Sequence, residues 1–296
     1  MFAFVRYEAF PELFTKTLRG YRSVLPETVL IQDSWSRILI NDIPAGYSHT
    51  SMNVEDESDT HNIEICNRTH IKIAIMGHPL NLSIRSTLVL NPQYDLINFK
   101  SSVDSKEISL LASGRRTEDR MYEITTEIGG NKSKRNIEIP KDVLLYSPMN
   151  TLAMRKLRPG QSIAIKTLDP LSMTPTRIIV KATKKETIQH NQESVETTLL
   201  ISTYQGMQLS SWIDKQGIIL RQETPMGWII ENCTSEEAID SISSNKTPPD
   251  LTSNKSSTLL MKLILPTSFS TTKTPPAIPL GETMTDSRKA LNDSNK

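Results

Sequence analysis

Cysteine is nearly absent: Cys66 and Cys233 are the only two, far apart, with the spacing of neither a zinc motif nor a CxxC redox pair. A disulfide between them stays open, because sequence cannot supply the distance a bridge needs. Aromatic residues make up 5% of the chain, too few to pave a base-stacking platform. Charge of one sign is missing as well. Thirty-four Lys and Arg against 33 Asp and Glu leave +1, so no global field draws in nucleic acid or an anionic membrane, and a basic partner surface must be local. No apolar run approaches the roughly 18 residues of a membrane span, and Met1 to Val5, cut off by Arg6 and Glu8, falls short of a signal-peptide core. The location of the chain is left open. The motifs GxxxxGK, GxGxxG and GxSxG do not occur, which leaves nucleotide and serine-hydrolase readings without an anchor.

What is present is a two-residue period, running from Trp35 to Trp228. Ile71, Ile73 and Ile75, or Leu80, Leu82 and Ile84, place apolar side chains on one face of a pleat. An all-β domain of antiparallel neighbours over 33–242 is predicted, with strands bounded by Asn41-Asp42, Asn67, Gly77-His78-Pro79, Asn91-Pro92 and Gly129-Gly130. Gly46 is read as supplying unusual backbone angles near the first hairpin.

Three segments depart from that period. Phe10, Leu13, Phe14, Leu18, Tyr21 and Leu25 share one stripe of a helix, so 1–32 reads as an N-terminal amphipathic helix and linker closed by Pro26. Ser147 to Leu157 reads as a short helix capped by Ser147, with Pro148 in its first turn. Thr234 to Glu237 fits a capping box opening another. Beyond Ile242, a Ser-, Thr-, Lys- and Pro-rich tail over 243–296 is expected to be mostly disordered, except for an apolar run at 258–266 suited to a strand.

Chemistry-bearing residues are scattered. His49, His61, His70, His78 and His190 lack metal-ligand spacing, although His61 and His70, on neighbouring predicted strands, could approach across a ladder. Cys233 precedes a helix N-terminus, yet no histidine follows it. Arg115 and its neighbours to Arg120 form a cluster that Glu118 and Asp119 largely neutralise. Trp35, Trp212 and Trp228 read as core or rim packing. No catalytic, metal or cofactor-binding residue is assigned, and no cofactor is expected.

The segment from Asp33 to Thr50, with Trp35 ahead of a turn and Gly46-Tyr47, resembles the opening of the β-rich region ahead of the catalytic core in some bacterial transglutaminase-like proteins. Later features agree in order: Ser147 to Leu157 followed by Arg158 to Ser162, then Asp169-Pro170, then Trp212 to Arg221 leading through Met226 to Glu237-Ala238. The resemblance implies a strongly curved antiparallel sheet or half-open barrel, similar to periplasmic lipoprotein carriers, around one or two short helices. It also implies the non-catalytic front half of such a protein, since neither Cys nor His follows Cys233.

The expected function is a non-enzymatic accessory or interaction domain, its partner a separately encoded transglutaminase-like core or another protein. A half-barrel carrier of lipid or acyl chains is the alternative, with Met149, Leu152, Met154 and Leu157 as its adaptable lid. A hydrolase or cysteine protease ranks third.

Overall fold

The computed structural model describes residues 15–25, 32–55, 61–107, 109–145, 154, 157–168, 173, 175–204, 207–225, 227–243 and 247–251. Its strands are β1 (Lys16–Leu18), β2 (Gln32–Ile40), β3 (Ile43–Glu55), β4 (Asn62–Ile75), β5 (His78–Leu90), β6 (Leu96–Asp104), β7 (Ser109–Arg116) and β8 (Met121–Ile128). There follow β9 (Asn131–Glu138), β10 (Leu144–Leu145), β11 (Ser162–Leu168), β12 (Pro175–His190), β13 (Glu193–Tyr204), β14 (Met207–Ile213), β15 (Ile219–Glu223) and β16 (Trp228–Cys233). One helix, α1 (Ser235–Ser243), follows the last strand.

These strands form one sheet made of two antiparallel meanders, β2 to β9 and β11 to β16, joined where β16 pairs with β2. Among the described strands β1 and β10 pair in parallel, both with β11, and Ala74 makes an isolated parallel bridge to Asp250. The sheet does not close into a barrel. It nevertheless bends: Met52, Ile65, Leu88, Phe99 and Ile124 of the first meander share one buried cluster with Ile163, Ile165, Val180 and Leu200 of the second. Side chains of a single sheet can share a core in this way only if its halves face each other. The expected curved, open, antiparallel architecture is therefore present.

Turn chemistry sets the register. Asn41 and Asp42 both take positive φ, 50° and 63°, between Ile40 and its partner Ile43, as a two-residue hairpin requires. Gly46 is not the source of those angles. It is needed because a Cβ there would stand 2.1 Å from the carbonyl oxygen of His70.

Asn67 does not end a strand either. It lies inside β4, buried at 5% exposure, and its Nδ2 donates to Thr50 Oγ1 at 2.8 Å, Ser48 Oγ at 3.0 Å and the His49 carbonyl at 3.3 Å. Thr69 Oγ1 donates back to Asn67 Oδ1 at 3.1 Å, so the buried amide is satisfied. Thr50, Asn67, Ser86, Ser101 and Ala112 stand opposite one another on β3 to β7. This small, mostly polar row divides the core face into two apolar clusters, the second built on Ile38, Ile40, Ile71, Ile73, Leu82, Val103 and Trp228.

The N-terminal helix is corrected over the described part of its stripe. Lys16–Leu18 is a strand, Gly20 takes φ 66° against the Lys141 carbonyl, and a 3-10 turn spans Tyr21–Ser23. A left-handed residue in mid-stripe stops a helix. The apolar residues are still buried: Tyr21, Val24 and Leu25 enter the first cluster, and Tyr21 Oη accepts the Leu145 N–H at 3.0 Å. Phe10 to Phe14 lie outside the described residues, as do most of 147–157 and all of 258–266.

The capping box forms as read. Thr234 N–H donates to Glu237 Oε2 at 2.9 Å, and Glu237 N–H to Thr234 Oγ1 at 3.2 Å. α1 packs on β2 and β3 and buries Ala238 and Ile242. The folded part does not stop at Ile242, however. Ala74 donates its N–H to the Pro249 carbonyl and accepts the Leu251 N–H, both at 2.8 Å, and Leu251 is buried in the second cluster. Ala74 has these groups to spare because they point to the side of β4 away from β5, where β3 pairs only as far as Ile71.

Candidate functional site

Alternation along β4 sends Ile63, Ile65, Asn67, Ile71 and Ile73 into the core, and turns Cys66, Arg68, His70 and Lys72 to the opposite, solvent face. Register then decides which solvent-face residues meet. Cys233, Trp35, His49, Arg68 and Arg85 stand opposite one another in turn across β16, β2, β3, β4 and β5. A neighbouring row runs through Arg221, Glu231, Arg37, Tyr47 and His70.

The aromatic members of these rows touch. Trp35 and His49 stack at 4.1 Å between centroids with planes 16° apart, and Tyr47 lies 5.1 Å from His70. Trp35 Nε1 donates to Asp33 Oδ2 at 3.2 Å, and His49 Nε2 bonds the other oxygen of that carboxylate. His49, then Trp35, hold the Asp33 carboxyl below its usual range.

Charge is handled in two ways on this face. Glu231, 8% exposed, is gripped by Arg37 Nη2 at 2.8 Å and Arg221 Nη1 at 2.7 Å, and Arg221 also meets Glu223 at 2.6 Å, so two carboxylates neutralise the two arginines. Arg68 and Arg85 are treated otherwise. Both are exposed and face each other directly, and among the described residues neither has an ion pair. Like charges placed opposite across a ladder destabilise the sheet.

The two are part of a longer stripe. Lys100 sits on the diagonal from Arg85, and Arg115 on the next diagonal from Lys100, so four successive strands, β4 to β7, each contribute one exposed cation. Beside the stripe lies a groove of about 430 Å³, lined by Arg85, Thr87, Lys100, Ser102, Leu111 and Glu127 among others. Arg85 and Arg68 also act on His70, whose pKa is lowered first by burial and then by these two charges.

The remaining candidates fall elsewhere. His61 immediately precedes β4 and His70 lies within it, so the two cannot approach across a ladder, since β4 runs unbroken through Asn67. His78 opens β5 and His190 closes β12. Cys66 and Cys233 are free, three strands apart, and burial pushes both thiols up, away from the reactive thiolate. Arg116 and Arg120 sit beside Asp95 and Glu138, which leaves Arg115 as the outward member of that cluster. Met154 is buried in the first cluster with Leu157 packed against it, whereas Met149 and Leu152 lie outside the described residues. Among the described residues no group of His, Cys, Asp and Glu could hold a metal ion, and no helix is long and apolar enough to cross a membrane.

No family model matches the chain, and a search of curated proteins found no match. Among solved structures, a DUF1089 family protein from Pseudomonas aeruginosa is similar at TM-score 0.32 and 12% identity, over 61% of this chain and 90% of its own. A likeness at that level carries no functional argument.

Proposed function

We propose that the chain is a non-enzymatic interaction domain that binds its partner through the solvent face of β2 to β7. The observation that carries this reading is the opposed, unpaired Arg68 and Arg85. A sheet that gripped Glu231 with two arginines one row away had the means to neutralise these as well, and keeps them charged at a cost in stability. Residues that lower stability without repacking anything are the mark of a surface held for a partner. The resemblance of 33–242 to the region ahead of a transglutaminase-like core supports a protein partner, such as a separately encoded core.

The test needs no ligand. Arg85→Thr keeps a good strand former while removing one charge, and should raise Tm by roughly 1–2 °C at low salt. A lowered Tm would make the arginine structural and remove the ground for the proposal.

A further inference from the structure

We infer that the stripe Arg68, Arg85, Lys100 and Arg115 is a docking track for an extended acidic peptide segment of a partner protein. This rests on the interaction-domain reading and supplies its ligand chemistry. Geometry comes first. Arg85, Lys100 and Arg115 step diagonally in one direction from strand to strand, which separates neighbouring Cβ atoms by about 7–8 Å. Same-side residues of an extended peptide recur every ~6.6 Å. Carboxylates at alternate positions of such a segment therefore meet Arg85, Lys100 and Arg115 without the segment bending, and Arg68, directly opposite Arg85, adds a second cation at that end.

Breadth and charge narrow the choice further. The track is one cation wide and about 20 Å long, bordered by Asp104 and Glu127 on one flank and Glu64 on the other, while Glu123, opposite Arg115, is held by Lys134 at 3.1 Å. Those flanking carboxylates repel the broad charge of a membrane or duplex. A formal charge of +1 gives no long-range pull on a nucleic acid. The 430 Å³ groove beside Arg85 and Lys100, with Leu111 in its wall, accepts a neutral side chain between two acidic ones.

The probe is a short labelled peptide of alternating Glu and Thr, titrated against the full chain at about 0.05 M salt by fluorescence anisotropy. Arg85→Thr/Lys100→Thr should weaken its binding about tenfold or more, and Lys185→Thr, on the other meander and paired with Glu196, should leave it unchanged. A peptide of the same composition with its glutamates in one block should bind at least about fivefold more weakly, because only the alternating order matches the strand pitch. Circular dichroism confirms that the double variant is folded. Equal binding of the blocked peptide, of an oligothymidylate or of phosphatidylserine vesicles would overturn the inference, as would no binding of the alternating peptide at millimolar concentration. If Arg85→Thr raises Tm while the acidic peptides fail, the binding face stands and this ligand falls.

Discussion

Leu251 donates its backbone N–H to the carbonyl oxygen of Ala74 at 2.8 Å, and its side chain, at 2% exposure, completes the second cluster. A residue from beyond α1 thus fills the edge that β3 leaves open. Leu251→Ala should cost about 2–5 kcal/mol, as expected for emptying a fully buried leucine site. Urea unfolding measures this. A change below about 0.5 kcal/mol would show that the segment rests on the sheet without stabilising it.

Glu231 holds Arg37 and Arg221 across three strands from a buried position. Removing the carboxylate leaves Arg37 without its ion pair and Arg221 with only Glu223, so Glu231→Gln should destabilise by about 3 kcal/mol. Replacing Arg37 alone should cost less, since Arg221 still answers the carboxylate. Denaturant midpoints of the two variants would show it, and the opposite order would contradict the shared-carboxylate account.

His70 supplies a pH reading of the cationic stripe. Its folded pKa lies below the ordinary 6.5, so the unfolded chain takes up its proton at a higher pH than the fold does. The stability this histidine contributes is present above pH 6.5 and is lost as the pH falls through the depressed folded value. Burial is the first cause and Arg85 the second, so in Arg85→Thr the His70 pKa measured by NMR should rise toward 6.5 without reaching it. An unchanged value would show that the guanidinium does not reach the ring.

Much of the fold was legible locally. The Asn41-Asp42 and Gly129-Gly130 turns, the alternation of β4 and the Thr234 capping box are short-range features, and each forms where its residues indicate. Failures arise where a distant segment decides. Gly20 breaks the N-terminal stripe because its left-handed backbone fits against Lys141, and Leu251 docks although its own neighbourhood is polar. Asn67 reads as a turn residue until Thr50 and Ser48 arrive from β3 to bond it.

The candidate site was half legible. Period two puts Arg68 on the face of His70, and Arg85 on the face of Thr87, without saying which residues meet. The missing signal was the hairpin centre. Met76 and Gly77, not His78-Pro79, form the turn, with φ 52° and 77°. Arg68 and Arg85 stand equally far from it, so a two-residue turn at that point fixes their opposition by arithmetic alone.

The most direct measurement is a double-mutant cycle on Arg68→Thr and Arg85→Thr, followed by denaturant unfolding at low and high salt. The predicted coupling is unfavourable in the wild type, roughly 0.5 kcal/mol at low salt, and shrinks as salt screens it. A favourable coupling, or none at either salt, would mean that the sheet tolerates the two arginines without cost and that their opposition says nothing of a partner.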